Sequence, residues 1–438
     1  MDINAEEFYI KYFKALAVLQ GKFDALYQES LKLGEDNPIE HRKSRLKSLI
    51  SIKEKLLRKK SLDFTIQNVE KTLNDVAGVR IVCPFLSDVE KIVDYVNKDK
   101  DIKVIEVKDY ITNPKESGYS SYHMIVEVPI EINEVKETVK AEIQIRTLAQ
   151  DVIASLDHKI RYKKNIFISE VEKELKNVVE LFNKVDKDLN MSIQEERKKR
   201  VKKVNFKTLP KTCSEEEFAL FKDKYEEALI VVEKKMNAIK NEYVKNGGVN
   251  PIEHVKGRIK TVDSIVTKLE KKEKEVTLEN IEKYINDVGA IKVVCSFLSD
   301  VYEIIDRIEM DSDFVILDRQ DYISNPKECG YASYHFVVAV PVELNNEVIW
   351  VKTEIQVRSI IMDFWADVEH ILCYQKEVDA DTKAEMKRIA GVLHLVDPEL
   401  DRLAKSFYEY ADGYDANDIT DNAKVNNIPK TLVRRKIG

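Results

Sequence analysis

Cysteine is scarce in this sequence, and its cysteines are not paired for cross-linking. There are five of them, an odd number, and none forms a CxxC motif. They are Cys83, Cys213, Cys295, Cys329 and Cys373. We therefore expect neither a disulfide framework nor a structural zinc site.

Long apolar runs and a signal-like N-terminus are also missing. No stretch reaches the ~18 uninterrupted apolar residues that indicate a membrane-spanning helix. Acidic residues occupy the N-terminal positions where a secretory signal carries basic ones. These features predict a soluble, cytosolic protein.

Glycine and proline contribute only 12 and 10 of the 438 residues, which excludes a collagen-like or low-complexity chain. A hydrophobic share of 44% beside a charged share of 34% predicts folded domains rich in helix. The formal net charge of −7 argues against a protein that coats duplex nucleic acid, but it allows a local basic pocket. At roughly 150 residues per domain, length alone predicts about three domains.

An internal duplication changes the predicted number of domains from about three to two. Residues 74–164 align without a gap on residues 286–376 at an offset of 212, and nearly half of the aligned positions are identical. The segment at 37–56 returns at 250–269 in the same way. Such agreement indicates two copies of one unit. The predicted boundaries are 1–200 for the first copy, 201–213 for a linker, 214–412 for the second copy and 413–438 for a C-terminal tail.

Each copy has the pattern of an α+β domain. Apolar residues at helical spacing, beginning with Phe8, Tyr12 and Leu16, indicate an amphipathic helix that packs on the rest of the copy. Short runs rich in Val and Ile, such as those at 79–85 and 122–130, indicate strands. We expect a mixed sheet of four or five strands with helices packed on it.

One predicted strand has a polar face that recurs in the second copy. Alternation places four polar residues on one side of this strand: Lys140, Glu142, Gln144 and Arg146. The second copy keeps the same four residue types: Lys352, Glu354, Gln356 and Arg358. Neighbouring positions have changed between the copies, so the retained face indicates a site and not only a strand surface exposed to water.

Two carboxylates in each copy fit a magnesium site. Asp75 stands before a strand and Glu142 lies within one, with Asp287 and Glu354 as their counterparts. Mg²⁺ takes one or two carboxylates together with phosphate oxygens of a substrate. Helix capping is the alternative role for Asp75.

Cations accompany these carboxylates. Arg45, Lys47 and Lys55 lie on sequence that we predict to be helical, and Arg80 follows Asp75 by five residues. Their counterparts in the second copy are Arg258, Lys260, Lys268 and Lys292. Positive charges beside a metal site compensate the phosphates of a nucleotide. On an ordinary helix the same residues would form a solvated face.

A polar loop recurs almost unchanged, as NPKESGYSSYH at 113–123 and NPKECGYASYH at 325–335. Its glycine permits a sharp turn, and Tyr119 after it offers a flat surface on which a base can stack. A core position would explain Tyr119 alone but not the repeated string. The candidate residues are Lys115, Tyr119 and His123, with Lys327, Tyr331 and His335 in the second copy.

In these motifs the sequence resembles the synthetase domain of RelA/SpoT-type alarmone synthetases, in the small form without hydrolase or regulatory regions. The motifs are RLK at 45–47, DVAGVR at 75–80, YITNPKESGYSSYH at 110–123 and EIQIRT at 142–147. The resemblance covers roughly 5–195 and again 215–410. It implies two nucleotidyltransferase-like domains in tandem, which transfer pyrophosphate from ATP to the 3′-hydroxyl of GDP or GTP and release AMP.

The resemblance also implies a role for each candidate residue. The residues that hold Mg²⁺ are Asp75, Glu142, Asp287 and Glu354, of which Glu142 is also the base for the 3′-hydroxyl. The residues that bind ATP are Arg45, Lys47, Lys55, Arg80, Arg258, Lys260, Lys268 and Lys292. The residues that bind GDP or GTP are Lys115, Tyr119, His123, Gln144, Arg146, Lys327, Tyr331, His335, Gln356 and Arg358. Arg45 and Arg80 sandwich the adenine, and Tyr119 stacks on the guanine.

Two departures from the family pattern bear on substrate binding. Ser117 and Cys329 stand where the family usually has Asn before Gly-Tyr, a position that affects how guanine is selected. Lys292 replaces the arginine found at Arg80, and an ammonium group does not form the planar stack of a guanidinium. We therefore expect weaker adenine binding in the second copy.

Other functions remain open from the sequence. The acceptor is alternatively an adenine nucleotide or the 3′ end of a tRNA, or one or both copies bind nucleotide or RNA without turnover. The basic run at 197–203 is more typical of a solvated helix end than of an RNA site. Helix-mediated association would make the two copies an internal pseudo-dimer, and two chains a homodimer.

Overall fold

The computed structural model describes residues 5–33, 36–60, 62–161, 169–199, 215–246, 249–344, 346–373 and 378–412. The elements of the first half are α1 (Ala5–Leu33), β1 (His41–Leu46), α2 (Leu49–Lys60), α3 (Ile66–Thr72), β2 (Ala77–Cys83), α4 (Leu86–Lys98), β3 (Lys103–Asp109), β4 (Tyr122–Ile132), β5 (Val135–Thr147), α5 (Leu148–Arg161) and α6 (Ser169–Lys199). Those of the second half are α7 (Glu215–Lys245), β6 (Ile252–Ile259), α8 (Val262–Lys271), α9 (Leu278–Tyr284), β7 (Gly289–Cys295), α10 (Leu298–Glu309), β8 (Val315–Asp321), β9 (Tyr334–Leu344), β10 (Glu347–Ser359), α11 (Ile360–Cys373) and α12 (Ala380–Asp412). The predicted linker at 201–213 and tail at 413–438 lie outside the described residues.

A five-stranded mixed sheet forms the centre of each half, which confirms the predicted α+β fold. The strand order is β1-β2-β5-β4-β3 in the first half and β6-β7-β10-β9-β8 in the second. The pairs β2–β5 and β7–β10 are parallel, and the other neighbouring strands are antiparallel. The strand predicted to carry the polar face is therefore the central one.

The first strand of each sheet corrects a prediction. Arg45 was expected on helical sequence, but it lies on β1, and its counterpart Arg258 lies on β6. Lys47 and its counterpart Lys260, also expected on helical sequence, lie in the connection that follows each of these strands. Lys55 and Lys268 do lie on helices, α2 and α8. The helical prediction failed because charged residues that alternate on an exposed edge strand lack the apolar signal by which strands are recognised.

The predicted amphipathic helix α1 packs on one face of the first sheet. Phe8, Tyr12, Leu16, Leu19 and Phe23 of α1 are all buried in the same cluster as Val79 and Ile143 of the strands. Burial of such side chains contributes roughly 1.5–3 kcal/mol each. Helix α7 occupies the same place in the second half, with Phe218, Tyr225 and Val232 in its core. The opposite sheet face remains available for polar residues.

The two halves meet through their C-terminal helices. Helix α5 contacts α11, and α6 contacts α12. One buried cluster draws residues from both halves, and within it the rings of Phe182 and Phe364 lie 5.7 Å apart. Arg388 of α12 pairs with Asp188 of α6 at 2.8 Å at the edge of this junction. The copies therefore form one packed unit within the chain.

The beginning of the basic run on α6 is engaged within the fold. Arg197 pairs with Asp36 at 3.1 Å and with the buried Asp88 at 2.9 Å, and its guanidinium lies over Phe85. Residues 200–203 of this run lie outside the described residues. Arg197 thus contributes to folding of the first half.

Buried carboxyl groups connect the last helix of each half to the end of its central strand. The Thr147 hydroxyl donates to Asp186 at 2.7 Å, and the Ser359 hydroxyl donates to Asp397 in the second half. Burial raises the pKa of both carboxyl groups from 3.8 to about 7. These groups are neutral in mildly acidic solution and costly to ionise.

We expect Asp186→Asn to gain stability relative to the parent as pH rises. The native pKa of Asp186 lies above its unfolded value, so its contribution is present below about pH 4 and is lost as pH rises through about 7. The difference in unfolding free energy should move toward the variant by on the order of 2 kcal/mol between pH 5 and pH 8. Thermal melts at both pH values measure it, with the exposed Asp94→Asn as control. A flat difference for Asp186→Asn contradicts the prediction.

Among the described residues, the helices include none that is both long enough and apolar enough to span a bilayer.

Candidate functional site

The polar face predicted from alternation exists, and it forms the floor of a site. Ile143 and Ile145 of β5 point into the core, whereas Glu142, Gln144 and Arg146 lie on the opposite face. In the neighbouring strands, Gly78 and Arg80 of β2 pair with Glu142 and Gln144, and His123 of β4 pairs with Gln144. Three adjacent strands thus bring the predicted residues together.

Asp75, just before β2, is surrounded by the predicted cations. Its Oδ2 accepts hydrogen bonds from Lys47 and Lys55, each at 2.6 Å. Its Oδ1 is buried and has no hydrogen-bond partner among the described residues. Burial raises the pKa of Asp75, but the two lysines outweigh that effect and keep it below its usual value. Asp75 is therefore ionised at neutral pH and has one oxygen available for a cation.

Glu142 is held by two neighbours. His123 Nδ1 lies 3.0 Å from its Oε1, and the Gln144 amide donates to its Oε2 at 2.7 Å. Burial raises the pKa of Glu142, and the charge of Asp75 raises it as well, but the hydrogen bonds from His123 and Gln144 lower it further than these effects raise it. Glu142 is thus a fixed, ionised carboxylate that is able to accept a proton.

The side chains behind Glu142 form a relay of hydrogen bonds. Arg146 donates to the Tyr119 hydroxyl at 2.7 Å, and this hydroxyl lies 3.0 Å from His123 Nε2. Because Arg146 is always a donor, Tyr119 donates onward to His123, and His123 then donates through Nδ1 to Glu142. The relay fixes the histidine tautomer and orients Glu142. Arg146 is buried beneath the Tyr119 hydroxyl and does not lie on an open surface of the site.

A groove on the β1 side of the floor contains the two predicted arginines. Its volume is about 170 Å³, and its lining residues are Lys43, Arg45, Gly78, Val79, Arg80 and Gln144. Gly78 lies beneath Arg45, whose Cγ is 3.8 Å from the position of an added Cβ. Two guanidinium groups along one narrow groove suit a flat aromatic ring held between them.

The repeated loop forms the other side of the site. Gly118 adopts φ +79°, donates to the Lys115 carbonyl at 2.7 Å, and so closes the turn that precedes Tyr119. The exposed Lys115 lies 4.7 Å from the ring centres of both Tyr110 and Tyr119. An exposed cation–π contact contributes about 0.5–1 kcal/mol, whereas a stacked base contributes about 1–3 kcal/mol. A base would therefore displace the lysine from the face of Tyr119.

The second half repeats this network with the same partners. Arg358 donates to the Tyr331 hydroxyl at 3.2 Å, this hydroxyl lies 2.9 Å from His335 Nε2, and His335 Nδ1 lies 3.3 Å from Glu354. Gln356 donates to the other oxygen of Glu354. The loop lysine, Lys327, lies over the Tyr331 ring at 4.7 Å. The hydrogen-bonded chain from the arginine to the glutamate is thus present in both halves.

Two differences distinguish the second site. Lys260 and Lys268 occupy both oxygens of Asp287, at 2.6 and 2.8 Å, whereas Asp75 keeps one oxygen free of hydrogen bonds among the described residues. Burial raises the pKa of Asp287, but these lysines bring it down to about 2. The second carboxylate is therefore more fully neutralised by the protein itself.

The second difference concerns the cation at the position of Arg80, which is Lys292 in the second half. Lys292 pairs with Asp363 at 2.6 Å and with Asp367 at 3.2 Å. In the first half, Arg80 pairs with Asp151 at 3.2 Å, and Ser155 occupies the position of Asp367. Lys292 is held by two carboxylates and is less available to a ligand.

Two kinds of residue in the site were not predicted from the sequence. Asp151 and its counterpart Asp363 lie on α5 and α11 and pair with Arg80 and Lys292. Tyr110, together with Tyr322 in the second half, forms part of the aromatic wall beside the loop tyrosine. All four are identical between the copies at the offset of 212, which is the signal that would have identified them.

A cavity of about 330 Å³ lies between the halves and is lined by residues of both. Arg80 and Asp151 of the first half face it, as do Lys292 and Asp363 of the second. The β1 side of the first site and the β6 side of the second therefore open toward each other across the junction.

The chain is similar in sequence to known proteins. Residues 44–166 and 257–379 match the family described as the region found in RelA / SpoT proteins. GTP pyrophosphokinase YwaC of Bacillus subtilis is 42% identical over 178 residues, which cover 40% of this chain and 85% of that protein. GTP pyrophosphokinase YjbM of the same organism is 32% identical over 181 residues, which cover 41% and 84%. Each relative thus spans about the length of one half.

Solved structures give matches of the same extent. A GTP pyrophosphokinase family protein from Streptococcus pneumoniae is 34% identical, with a TM-score of 0.42, and covers 45% of this chain and 97% of its own. Small alarmone synthetase 1 from Bacillus subtilis, solved with its product pppGpp, is 32% identical, with a TM-score of 0.41, and covers 45% of this chain and 100% of its own.

Proposed function

Because the chain belongs to the RelA/SpoT family and carries the family's shared region twice, we infer that it is a GTP pyrophosphokinase, a synthetase of (p)ppGpp. The reaction transfers pyrophosphate from ATP to the 3′-hydroxyl of GDP or GTP. One observation carries this function. Each half has a fixed carboxylate, Glu142 in the first and Glu354 in the second. On one side of it lie the cations near β1 or β6, and on the other side lies the loop that carries Lys, Tyr and His.

We propose that Glu142 is the general base of the first site. It takes the proton of the 3′-hydroxyl as the oxygen bonds to the β-phosphorus of ATP. The bond from that phosphorus to the oxygen bridging to the α-phosphate breaks, and AMP leaves with the bonding electrons. The lowered pKa of Glu142 keeps it ionised at neutral pH, and the relay from Arg146 holds it in position. Positioning and charge neutralisation provide most of the catalysis in such transfers.

The carboxylates of the site fit a magnesium ion. The unpartnered, buried Oδ1 of Asp75 is an oxygen donor with a remaining coordination site, and Glu142 is the second carboxylate nearby. Within the described residues no group of three or more His, Cys, Asp or Glu side chains gathers as an all-protein metal site. Mg²⁺ is held by one or two carboxylates plus substrate phosphates, and Asp75 and Glu142 would supply two carboxylates. When bound, the ion would neutralise phosphate charge; Asp287 and Glu354 are the corresponding pair.

We propose that ATP lies on the β1 side of the floor. The groove places Arg45 and Arg80 along one cleft, where the adenine would lie between their guanidinium planes. Lys47 and Lys55, already gathered at Asp75, would face the phosphates. In the second half, these roles fall to Arg258, Lys292, Lys260 and Lys268.

We propose that the acceptor nucleotide lies on the loop side. Guanine would displace Lys115 and stack on Tyr119, while the freed Lys115 turns to the acceptor phosphates. His123 and Gln144 lie between the loop and Glu142, close to the ribose that must present its 3′-hydroxyl. Lys327, Tyr331, His335 and Gln356 would act in the same way in the second half, with Arg358 behind them as Arg146 is in the first.

The two copies divide the chain into functional units. We propose synthetase domains at 1–200 and 214–412, acting in the cytoplasm where their nucleotides are found. The junction of α5, α6, α11 and α12 would make them an internal pseudo-dimer, and association of two chains would add a second pair.

Transfer of label tests the function directly. Purified chain is mixed with Mg²⁺ and γ-labelled ATP, and GDP, GTP, GMP, ADP and tRNA are supplied separately as acceptors. We expect label on GDP or GTP with release of AMP. Label on ADP or tRNA alone would identify another acceptor, and binding of nucleotide without any transfer would indicate a regulator that does not turn over.

Arg80→Lys should weaken ATP binding in the first site. The guanidinium stack on adenine contributes about 0.5–2 kcal/mol, so we expect the KM for ATP to rise about 2- to 30-fold. Steady-state kinetics in a Glu354→Gln chain, which isolates the first site, measure the change. Arg307→Lys is the control, because Arg307 is exposed and, among the described residues, contacts Glu242 and Tyr243, neither of which belongs to the site. An unchanged KM for Arg80→Lys would remove Arg80 from the donor site.

A further inference from the structure

Asp151 lies at the point where the two sides of the first site meet. It belongs to the first turn of α5, and its Oδ1 accepts from Arg80 at 3.2 Å and from Arg146 at 3.1 Å. Its Oδ2 lies 3.7 Å from His41 Nε2. One carboxylate oxygen is thus shared by two guanidinium groups that come from different strands, β2 and β5.

The two arginines repel each other, and Asp151 compensates this repulsion. Burial lowers the pKa of Arg80, and the charge of Arg146 lowers it further, whereas Asp151 raises it. Arg146 is 4% exposed, and the Arg80 Nε is buried without a hydrogen-bond partner among the described residues. Like charges in such a place stay together only when a shared counterion holds them.

Each arginine lies at the proposed binding site of a different substrate. Arg80 faces the groove proposed for adenine, and Arg146 supports Tyr119, the surface proposed for guanine, through its 2.7 Å hydrogen bond. We propose that Asp151 is a positioning residue that fixes these two arginines relative to each other and so couples ATP binding to acceptor binding. This inference rests on the proposed function and adds a residue that contacts neither substrate.

The second half repeats the arrangement in altered form. Asp363 Oδ1 lies 2.6 Å from Lys292 and 3.5 Å from Arg358, and Arg358 donates to the Tyr331 hydroxyl. Asp363 thus lies between Lys292 and Arg358, as Asp151 lies between Arg80 and Arg146. Arg80 is replaced by Lys292, but the contact with the carboxylate is retained. This indicates that a carboxylate bridging the two cations is needed in both halves.

The experiment removes the charge of Asp151 with little change of shape. Asp151→Asn and Asp151→Glu are made in the Glu354→Gln chain, and KM values for ATP and GDP are measured separately from kcat. We expect Asp151→Asn to raise both KM values about 10-fold or more while kcat falls less than about 3-fold, because a charge-assisted contact to each arginine is lost. Binding of GDP, measured with and without a non-hydrolysable ATP analogue, should lose its dependence on the analogue. Asp151→Glu, which keeps the charge one methylene further out, should lie in between.

Asp94→Asn is the control, with the same change of charge at an exposed position on α4, where Asp94 pairs with Lys98 at 3.5 Å. Thermal melts show whether each variant is folded; if Asp151→Asn is not, Asp151→Glu decides. Unchanged KM values in the folded variant, equal effects in Asp94→Asn, or an inactive Glu354→Gln chain would overturn the role of Asp151. Absence of transfer by the unsubstituted chain would instead refute the proposed function, so the two failures are distinguishable.

Discussion

In a chain that already carries Glu354→Gln, so that only the first site is measured, replacing Glu142 with glutamine is expected to lower the rate of pyrophosphate transfer by about 10²- to 10⁴-fold, the range that a positioned general base contributes. Glutamine keeps the shape of the side chain and can still contact His123 and Gln144, but it has no negative charge and does not accept the proton. Initial rates with labelled ATP and GDP, at saturating concentrations of both, measure the loss.

Glu354→Gln is expected to have a smaller effect. In the second site Lys292 is paired with Asp363 and Asp367, and both oxygens of Asp287 are paired with lysines, so we expect ATP and Mg²⁺ to bind less well there. The chain with both glutamines should retain only background activity. Glu137→Gln, at the exposed end of the same strand β5, is the control for glutamine substitution. Equal losses from Glu142→Gln and Glu354→Gln would refute the asymmetry, and an active double variant would refute the role of both carboxylates.

Gly118→Ala is expected to destabilise the first half by about 2–5 kcal/mol and to weaken acceptor binding. Left-handed backbone costs a residue with a Cβ about 1–2 kcal/mol, and forced overpacking typically costs about 1–3 kcal/mol. Both terms apply, because Gly118 has φ +79° and an added Cβ would lie 2.4 Å from Val179 Cγ1 on α6. Denaturant melts and the KM for GDP measure the two consequences.

Val179→Ala separates these two terms. In a Val179→Ala chain the obstructing methyl is absent, so Gly118→Ala should then cost only the backbone part, about 1–2 kcal/mol. Gly21→Ala is the control, since Gly21 lies within α1 with nothing within 4 Å of an added Cβ, and alanine there should be neutral or stabilising. If Gly118→Ala costs the same with and without Val179→Ala, contact with α6 does not constrain the loop.

Much of the site was predictable because it depends on local sequence patterns that occur in both copies. Strand alternation alone placed Glu142, Gln144 and Arg146 on one face, and the structure confirms that placement. The turn at Gly118 followed from its position before Tyr119, and the glycine does adopt a positive φ. These features depend on the period of a strand and the freedom of one residue, which are properties of short segments.

Other parts of the site were not predictable because they depend on contacts between distant segments. Arg80 and Asp151 are 71 positions apart and meet only because α5 turns back over the end of the sheet. Arg45 was misplaced on a helix because the pairing of β1 with β2, and not local propensity, makes that segment a strand. The burial that leaves Asp75 Oδ1 without a partner among the described residues is likewise invisible in sequence.

By itself, the sequence determined that this protein consists of two copies of an α+β synthetase unit with a duplicated set of carboxylates, cations and loop residues, since repetition and alternation are local properties. Only the tertiary structure decided how the set works together. Packing of α5 and α6 on α11 and α12 turned the β1 side of the first site and the β6 side of the second toward a shared cavity. The same packing gave Arg80 one carboxylate partner and Lys292 two. The electrostatic environment of a charged side chain depends on which groups the fold places next to it.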